Sequence, residues 1–115
     1  FPKERMIVVG SKMFGNCCGQ IYSHRKSPDY FSLSLDIPRK MYEDNNRFQE
    51  ELGDRFIDMI TPVIVSGNSV RVFTDNHKII SQDCIHLTQN GAKMYAEIFK
   101  ERIEKEIIRQ KSGDL

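Results

Sequence analysis

The sequence predicts an α/β fold in which a parallel sheet is flanked by helices. The apolar run ERMIVVG at residues 4–10 has the composition of a parallel strand that is covered on both faces. A predicted helix at 38–52 and a longer helix that begins after Thr88 alternate with further strand-like segments. This alternation of strands and helices is typical of α/β architecture.

The strand-like segments are short and separated by an irregular stretch. Residues 11–39 are rich in glycine, proline and serine, which predicts a long structured loop with a short strand or turn near FSLSL at 31–35. RFIDM at 55–59 is predicted as a second core strand, and PVIVSGNSVRVF at 62–73 as a hairpin or tight loop around S-G-N-S. Two core strands do not make a stable parallel sheet. Further strands come from missing sequence, from another chain, or from within the loop.

Both helices show an apolar face. In the first helix Met41, Asn45, Phe48 and Leu52 share one side, and Gly53 is suited to end it. The last helix has an N-cap at Thr88. Its stripe consists of Tyr95, Ile98, Phe99, Arg102, Ile103 and Ile107. We therefore assign one partial domain to residues 1–110 and a frayed tail to 111–115.

Composition narrows the function classes. The chain has 115 residues, which is one domain at most. Its 17 basic and 16 acidic side chains nearly balance, so the sequence lacks the excess of positive charge that is typical of nucleic-acid-binding domains. With 39% hydrophobic and 29% charged residues it is typical of a globular protein. No apolar run reaches the ~20 residues of a membrane span. Because it begins with Phe1, we expect a piece of a longer protein or a processed product.

The three cysteines show neither a zinc-site spacing nor a C-x-x-C redox pair. Cys17 and Cys18 are neighbours and are poorly placed to bridge one another. Either of them could bridge Cys84, so the disulfide state and the compartment stay open.

The stretch DCIHLTQNG at 83–91 contains the most informative chemistry. A histidine that acts as a base needs one ring nitrogen free and a carboxylate on the other. Asp83 and His86 are three residues apart just before a helix, so that both side chains can project from one turn and meet. The alternative is an ordinary polar pair at the surface.

The run FTDNHKIISQDCIHLTQNGAKMYAEIF at 73–99 closely resembles the C-terminal catalytic block of the SGNH (GDSL-type) hydrolase and acyltransferase superfamily. The pattern of that block is D-x-x-H-L-[ST]-x-x-G-[AH], followed by an amphipathic helix. The matching positions are Asp83, His86, Leu87, Thr88, Gly91 and Ala92. NNRFQEELGDRFIDM at 45–59 resembles the preceding helix and strand, which Asp58 ends, and RMIVVGSK resembles the strand before that.

This resemblance implies a three-layer α/β/α fold with a parallel sheet, of which the chain is the C-terminal part. It also implies a serine nucleophile, with His86 as the base and Asp83 as its orienting partner. Substrates of the family are acyl esters, often O-acetyl groups on carbohydrates, and the acyl group passes to water or to an acceptor. Neither a metal nor an organic cofactor takes part. The family is often tied to envelope polysaccharide, which implies an extracytoplasmic or cell-envelope location.

The family's G-D-S and G-x-N-D motifs are absent from this sequence. Ser69 in VIVSGNSV lies only seventeen residues before His86, and its S-G-N-S context predicts a turn. Ser11 ends a credible strand, but the resemblance assigns that strand to the middle of the fold. We therefore expect the nucleophile on residues outside this chain, in a missing N-terminal half or another chain. The alternative is an inactive module that binds carbohydrate or a protein partner.

The remaining candidates have weaker support. His77 in TDNHK lacks the L-[ST]-x-x-G context and is predicted to be a loop residue. His24 in YSHRK has a surface role or contacts substrate. No spacing supports a metal site of His24, His77 and His86. Cys84 would be a nucleophile only with access and a lowered pKa, and its side chain is expected to point away from His86.

Overall fold

Strand β1 (Val8–Val9) pairs in parallel with β3 (Phe56–Ile57), and the register aligns Val8 with Phe56. The computed structural model describes residues 6–16 and 18–113. Both strands lie within the two predicted core strands, and the first five residues of the chain fall outside the described part. The parallel pairing is confirmed, while the three-layer α/β/α arrangement stays a prediction.

A separate antiparallel sheet has the strand order β2-β5-β4. Its strands are β2 (Ser34–Asp36), β4 (Ile64–Ser66) and β5 (Ser69–Arg71). The hairpin β4–β5 confirms the hairpin predicted from S-G-N-S, and Gly67 at its turn has a φ of 52°. The Asn68 side chain donates to the Ile37 carbonyl at 2.6 Å, which ties this hairpin to β2 rather than to the parallel pair.

Three helices accompany the sheets within the described residues: α1 (Gly19–Ser23), α2 (Arg39–Leu52) and α3 (Gln89–Gly113). Helix α2 begins one residue after the predicted start and ends at Leu52 as predicted, followed by Gly53, whose φ of 54° suits glycine. Helix α1 lies inside the stretch that the sequence predicted as a loop. Helix α3 continues into the stretch assigned to a tail, of which residues 114 and 115 lie outside the described part.

Thr88 precedes helix α3 and caps its N-terminus, as the sequence predicts. The Thr88 hydroxyl accepts the Gly91 N–H at 3.0 Å and donates to the Ile79 carbonyl at 2.5 Å. A Cβ atom at Gly91 would lie closer than 3.0 Å to the Ile80 carbonyl oxygen. The first turn of α3 is therefore packed against the backbone of residues 79–80, and the glycine allows this approach.

The core lies around the antiparallel sheet, helix α1 and the start of α3. Its buried members are Phe14, Ile21, Leu35, Ile37, Ile60, Val63, Val70, Val72, Phe73, Ile80, Cys84 and Tyr95. A disulfide joins Cys18 to Cys84 across a sequence separation of 66 residues, so one of the open pairings is now assigned. Closing a loop of that length stabilises the fold by about 4 kcal/mol in the chain-entropy account.

Substituting Gly91→Ala is expected to lower the free energy of unfolding by about 1–3 kcal/mol, because the new methyl group meets the Ile80 backbone. Urea denaturation monitored by circular dichroism measures the change. Gly19→Ala is the matched control, since nothing lies within 4 Å of its added Cβ. Equal stability losses in the two variants would contradict the close packing at Gly91.

Candidate active site

Asp83 and His86 lie side by side in the turn that precedes α3, which we call the dyad turn (residues 83–86). The His86 Nδ1 atom is 2.6 Å from Asp83 Oδ2. The other carboxylate oxygen, Oδ1, accepts the backbone N–H groups of Ile85 at 2.9 Å and His86 at 2.7 Å. One carboxylate thus shapes the turn and holds the imidazole. The contact expected from the D-x-x-H spacing is present.

These hydrogen bonds fix the ionisation of Asp83. The backbone N–H of His86, the His86 ring and the backbone N–H of Ile85 all stabilise the carboxylate, in that order. They hold the pKa of Asp83 well below its usual range. A carboxylate beside Nδ1 favours the tautomer that carries its proton there, which leaves Nε2 as the acceptor. The His86 side chain is 79% exposed, so solvent or a reactant reaches this nitrogen.

The dyad turn is anchored at each end. Before it, the buried Ser81 hydroxyl donates to Asp83 Oδ1 at 3.2 Å. After it, the Thr88 N–H donates to the Ile80 carbonyl at 2.9 Å. Sequence reasoning missed Ser81, because a serine two residues before an aspartate is too common a pattern to identify a partner.

Cys84 lies inside the turn but faces the opposite way. Its side chain is only 4% exposed and is bonded to Cys18, and its φ is 68°. The expectation that this side chain points away from His86 agrees with the structure. A disulfide sulfur is not a thiolate, so Cys84 does not act as the nucleophile in this state. Cys17 lies outside the described residues.

Neither candidate serine meets His86. The Ser69 hydroxyl donates to the Asp36 carboxylate, its cross-strand neighbour between β5 and β2. Ser11 follows β1 and lines a groove between β1 and α2. Over residues 6–16 and 18–113, no serine hydroxyl forms a hydrogen bond with the His86 ring. The described chain therefore presents an exposed imidazole whose Nδ1 atom lies against a carboxylate.

The other two histidines lie elsewhere. The Nδ1 atom of His24 is 3.0 Å from the Gln20 carbonyl at the end of α1. The His77 ring is stacked on Phe31 with centroids 4.3 Å apart. In the part of the chain that the structure describes, no group of three or more His, Cys, Asp or Glu residues could hold a metal ion. In that same part, none of the helices combines the length and the apolar character that crossing a membrane requires.

A large apolar groove lies between β1 and α2; we call it the β1–α2 groove. It has a volume of about 700 Å³. The apolar face predicted for α2 lines it, including Met41, Phe48 and Leu52. Phe48 is 43% exposed there, and Val9 on β1 is 60% exposed. Strand β1 and helix α2 thus present apolar side chains that the described residues leave uncovered.

Asp58 forms a second carboxylate turn at the end of β3. Its Oδ1 atom accepts the Asn45 side-chain amide and the backbone N–H groups of Ile60 and Thr61, each at 2.9 Å. Burial opposes ionisation here, but hydrogen bonds from Thr61, Asn45 and Ile60 outweigh it and lower the pKa of Asp58. Burial and this nearby charge raise the pKa of Tyr95. Asp58 therefore holds α2 to the end of β3.

Comparisons with protein-family models, with curated proteins and with solved structures found no match to this chain. The features of the chain that bear on its function are therefore the geometry of the dyad turn and the sequence pattern around it.

The carboxyl group of Asp83 is expected to titrate below its ordinary value of about 3.9. Since the folded-state pKa is the lower one, the carboxylate stabilises the turn above about pH 4. That contribution is lost as the pH falls through the folded-state value. In His86→Ala the pKa should rise only in part, because both backbone donors remain. Carbon-13 NMR of the carboxyl group against pH measures both values; an ordinary midpoint in the unmodified chain would contradict the geometry.

Proposed function

We propose that this chain supplies the histidine base and the aspartate of a serine esterase or O-acyltransferase of the SGNH type. The observation that carries the proposal is the Asp83–His86 contact, with Nδ1 on the carboxylate and Nε2 exposed. The D-x-x-H-L-T-x-x-G-A pattern of residues 83–92 supports the same assignment. The three-layer α/β/α fold belongs to this proposal.

The geometry provides the proton transfers that acyl transfer needs. Nε2 of His86 takes the proton of the attacking serine hydroxyl and then gives it to the departing alkoxide oxygen. A serine acyl ester remains, and His86 next deprotonates water or a sugar hydroxyl that attacks it. The bond between the acyl carbon and the serine oxygen then breaks, and the imidazolium returns its proton to that oxygen. Throughout, the Asp83 carboxylate holds the ring and stabilises the imidazolium, which its lowered pKa allows it to do without taking the proton.

The nucleophilic serine is proposed to come from polypeptide outside residues 1–115. Support comes from β1, which pairs with β3 on one edge only among the described strands. Parallel strands are normally covered on both faces, yet Val8 and Val9, whose side chains point to opposite faces, are 37% and 60% exposed. A further strand on the free edge of β1, with its own helix over the β1–α2 groove, would cover these side chains.

The free edge of β1 is also placed so that an added strand would lie close to His86. The chain leaves β1 at Val9, and five residues later the Phe14 N–H donates to the Cys84 carbonyl at 2.8 Å. Five extended residues span at most about 18 Å. A parallel strand beside β1 would therefore end near the dyad turn, at the sheet edge where α/β proteins place their sites.

The substrate class is proposed from the family resemblance and agrees with the exposure of the site. We assign an acyl ester of a carbohydrate, most simply an O-acetyl ester, since an exposed His86 accommodates a bulky polar acceptor. The Cys18–Cys84 disulfide is typical of proteins in oxidising surroundings, which supports an extracytoplasmic or cell-envelope location.

An inactive module that binds carbohydrate or protein is the second candidate. The observation that favours it is the lack of a serine hydroxyl hydrogen-bonded to His86 within the described residues. It differs from the first in one respect: no form of the protein, with or without added polypeptide, would hydrolyse acetyl esters.

The kinetic test uses this chain together with the polypeptide proposed to supply the serine, which we call the complementing half. In that complex His86→Ala is expected to lower kcat for p-nitrophenyl acetate by at least about 10³-fold, because the base is lost. Asp83→Asn should lower it by about 10²- to 10⁴-fold through loss of the tautomer and of the imidazolium's partner. His24→Ala serves as the control and should retain activity, because this histidine follows α1 and its ring bonds only to Ser23 and Gln20 among the described residues. Full activity of the His86→Ala variant would rule out this assignment.

The free edge of β1 gives a separate prediction. Val9→Lys should leave the isolated chain folded, because this side chain is already 60% exposed, but should weaken association with the complementing half. Val65→Lys on β4 is the matched control, with the same residue type and the same 60% exposure. Analytical ultracentrifugation or co-purification measures the association. Equal effects of the two variants would exclude the β1 edge as the contact surface.

A further inference from the structure

Cys84 occupies an unusual backbone conformation in the middle of the dyad turn. Its φ of 68° lies in the left-handed region, which residues with a Cβ atom rarely adopt. The two N–H groups that follow it, those of Ile85 and His86, are the ones that bind Asp83 Oδ1. The orientation of Cys84 therefore decides whether these donors, and the ring of His86, meet the carboxylate.

Two attachments hold Cys84 in this conformation, and both come from the segment after β1. The side chain is bonded to Cys18, with Cα atoms 5.9 Å apart, and the carbonyl accepts the Phe14 N–H at 2.8 Å. Gly15 lies between them with a φ of 143°, and a Cβ there would be 2.7 Å from the Leu35 side chain and 3.1 Å from the Cys84 sulfur. A glycine at this position therefore allows the segment to pack closely on Leu35 and on the Cys84 sulfur.

The dyad turn thus has an inner and an outer side. Cys84 is 4% exposed and packs with the core, whereas the side chains of Asp83 and His86 are 53% and 79% exposed. Among the described residues, the hydrogen bond with Ser81 is the only one that joins a side chain of the pair to a residue outside the turn. Of the two residues between Asp83 and His86, Ile85 is exposed and Cys84 is buried, so Cys84 attaches the turn to the core.

We propose that Cys18 and Cys84 are positioning residues: their disulfide anchors the dyad turn to the core and so aims His86 for proton transfer. The claim that the disulfide aims His86 for catalysis rests on the proposed function. The claim that the disulfide anchors the dyad turn depends only on the contacts of Cys84 described above. Loss of the disulfide would free the Cys84 backbone to leave the left-handed region. The Asp83 carboxylate would then lose its two backbone donors and its contact with the His86 ring.

The test compares the oxidised chain with the chain reduced by dithiothreitol. In that step two hydrogens pass to the Cys18 and Cys84 sulfurs and the reagent closes to its own cyclic disulfide. Carbon-13 NMR then follows the carboxyl groups of Asp83 and Asp58 against pH. Asp58 is a matched internal control, because it caps a similar turn with backbone donors at the second and third residues after it and lies outside the dyad turn.

The expected result is that reduction raises the pKa of Asp83 toward about 3.9 while the pKa of Asp58 stays low. If reduction raises the pKa values of both Asp83 and Asp58, the whole fold has loosened. If it changes neither pKa, the dyad turn keeps its conformation without the disulfide. Either outcome overturns the proposal. The double variant Cys18→Ala/Cys84→Ala should behave as the reduced chain does. If it does not fold, the reduced chain is measured in sulfate, which strengthens apolar burial.

Kinetics separate this inference from the proposed function. In the protein with its complementing half, the double variant should lose about 100-fold in kcat with KM changed less than about threefold, because a displaced base affects the chemical step. A loss confined to KM would overturn the positioning role. If the NMR result holds and every form lacks esterase activity, the proposed function fails while the anchoring of the pair remains.

Discussion

The attachment of Cys84 to the segment after β1 is the constraint on which the rest of the site depends. Through its disulfide and its carbonyl, this residue joins the end of the parallel strand pair to the turn before α3. Asp83 and His86 lie on either side of it and face solvent. A site with two exposed side chains gains its order from a buried neighbour, because exposed groups alone are weakly restrained.

Asp58 and Asp83 each accept backbone N–H groups of the turn that follows them, but the two carboxylates have different further partners. Asp58 ends β3, binds Asn45 of α2 and is half-buried, so its charge joins a helix to a strand. Asp83 ends no regular strand, and its second oxygen is directed to an imidazole. The same local arrangement, a carboxylate that accepts N–H groups two and three residues later, thus joins a helix to a strand in one place and holds an exposed imidazole in the other.

Local features were predictable from the sequence, and long-range ones were not. The bounds of α2, the Thr88 cap and the contact between Asp83 and His86 depend on residues a few positions apart, so their patterns are visible in the chain. The antiparallel sheet depends on Asn68 reaching Ile37, and the disulfide on Cys18 reaching Cys84. Such pairings are set by packing, which periodicity does not encode. The short helix α1 was missed because five residues carry too little pattern.

The disulfide also divides the chain mechanically. It closes a covalent ring from Cys18 to Cys84 that contains α2 and both strands of the β4–β5 hairpin, and it leaves β1 and α3 outside. Tension applied across β1 and α3 would therefore bypass the ring and travel through the two sulfur atoms. The dyad turn lies on that path, so the force would act on it directly, whereas the antiparallel sheet lies inside the ring and would be shielded from it.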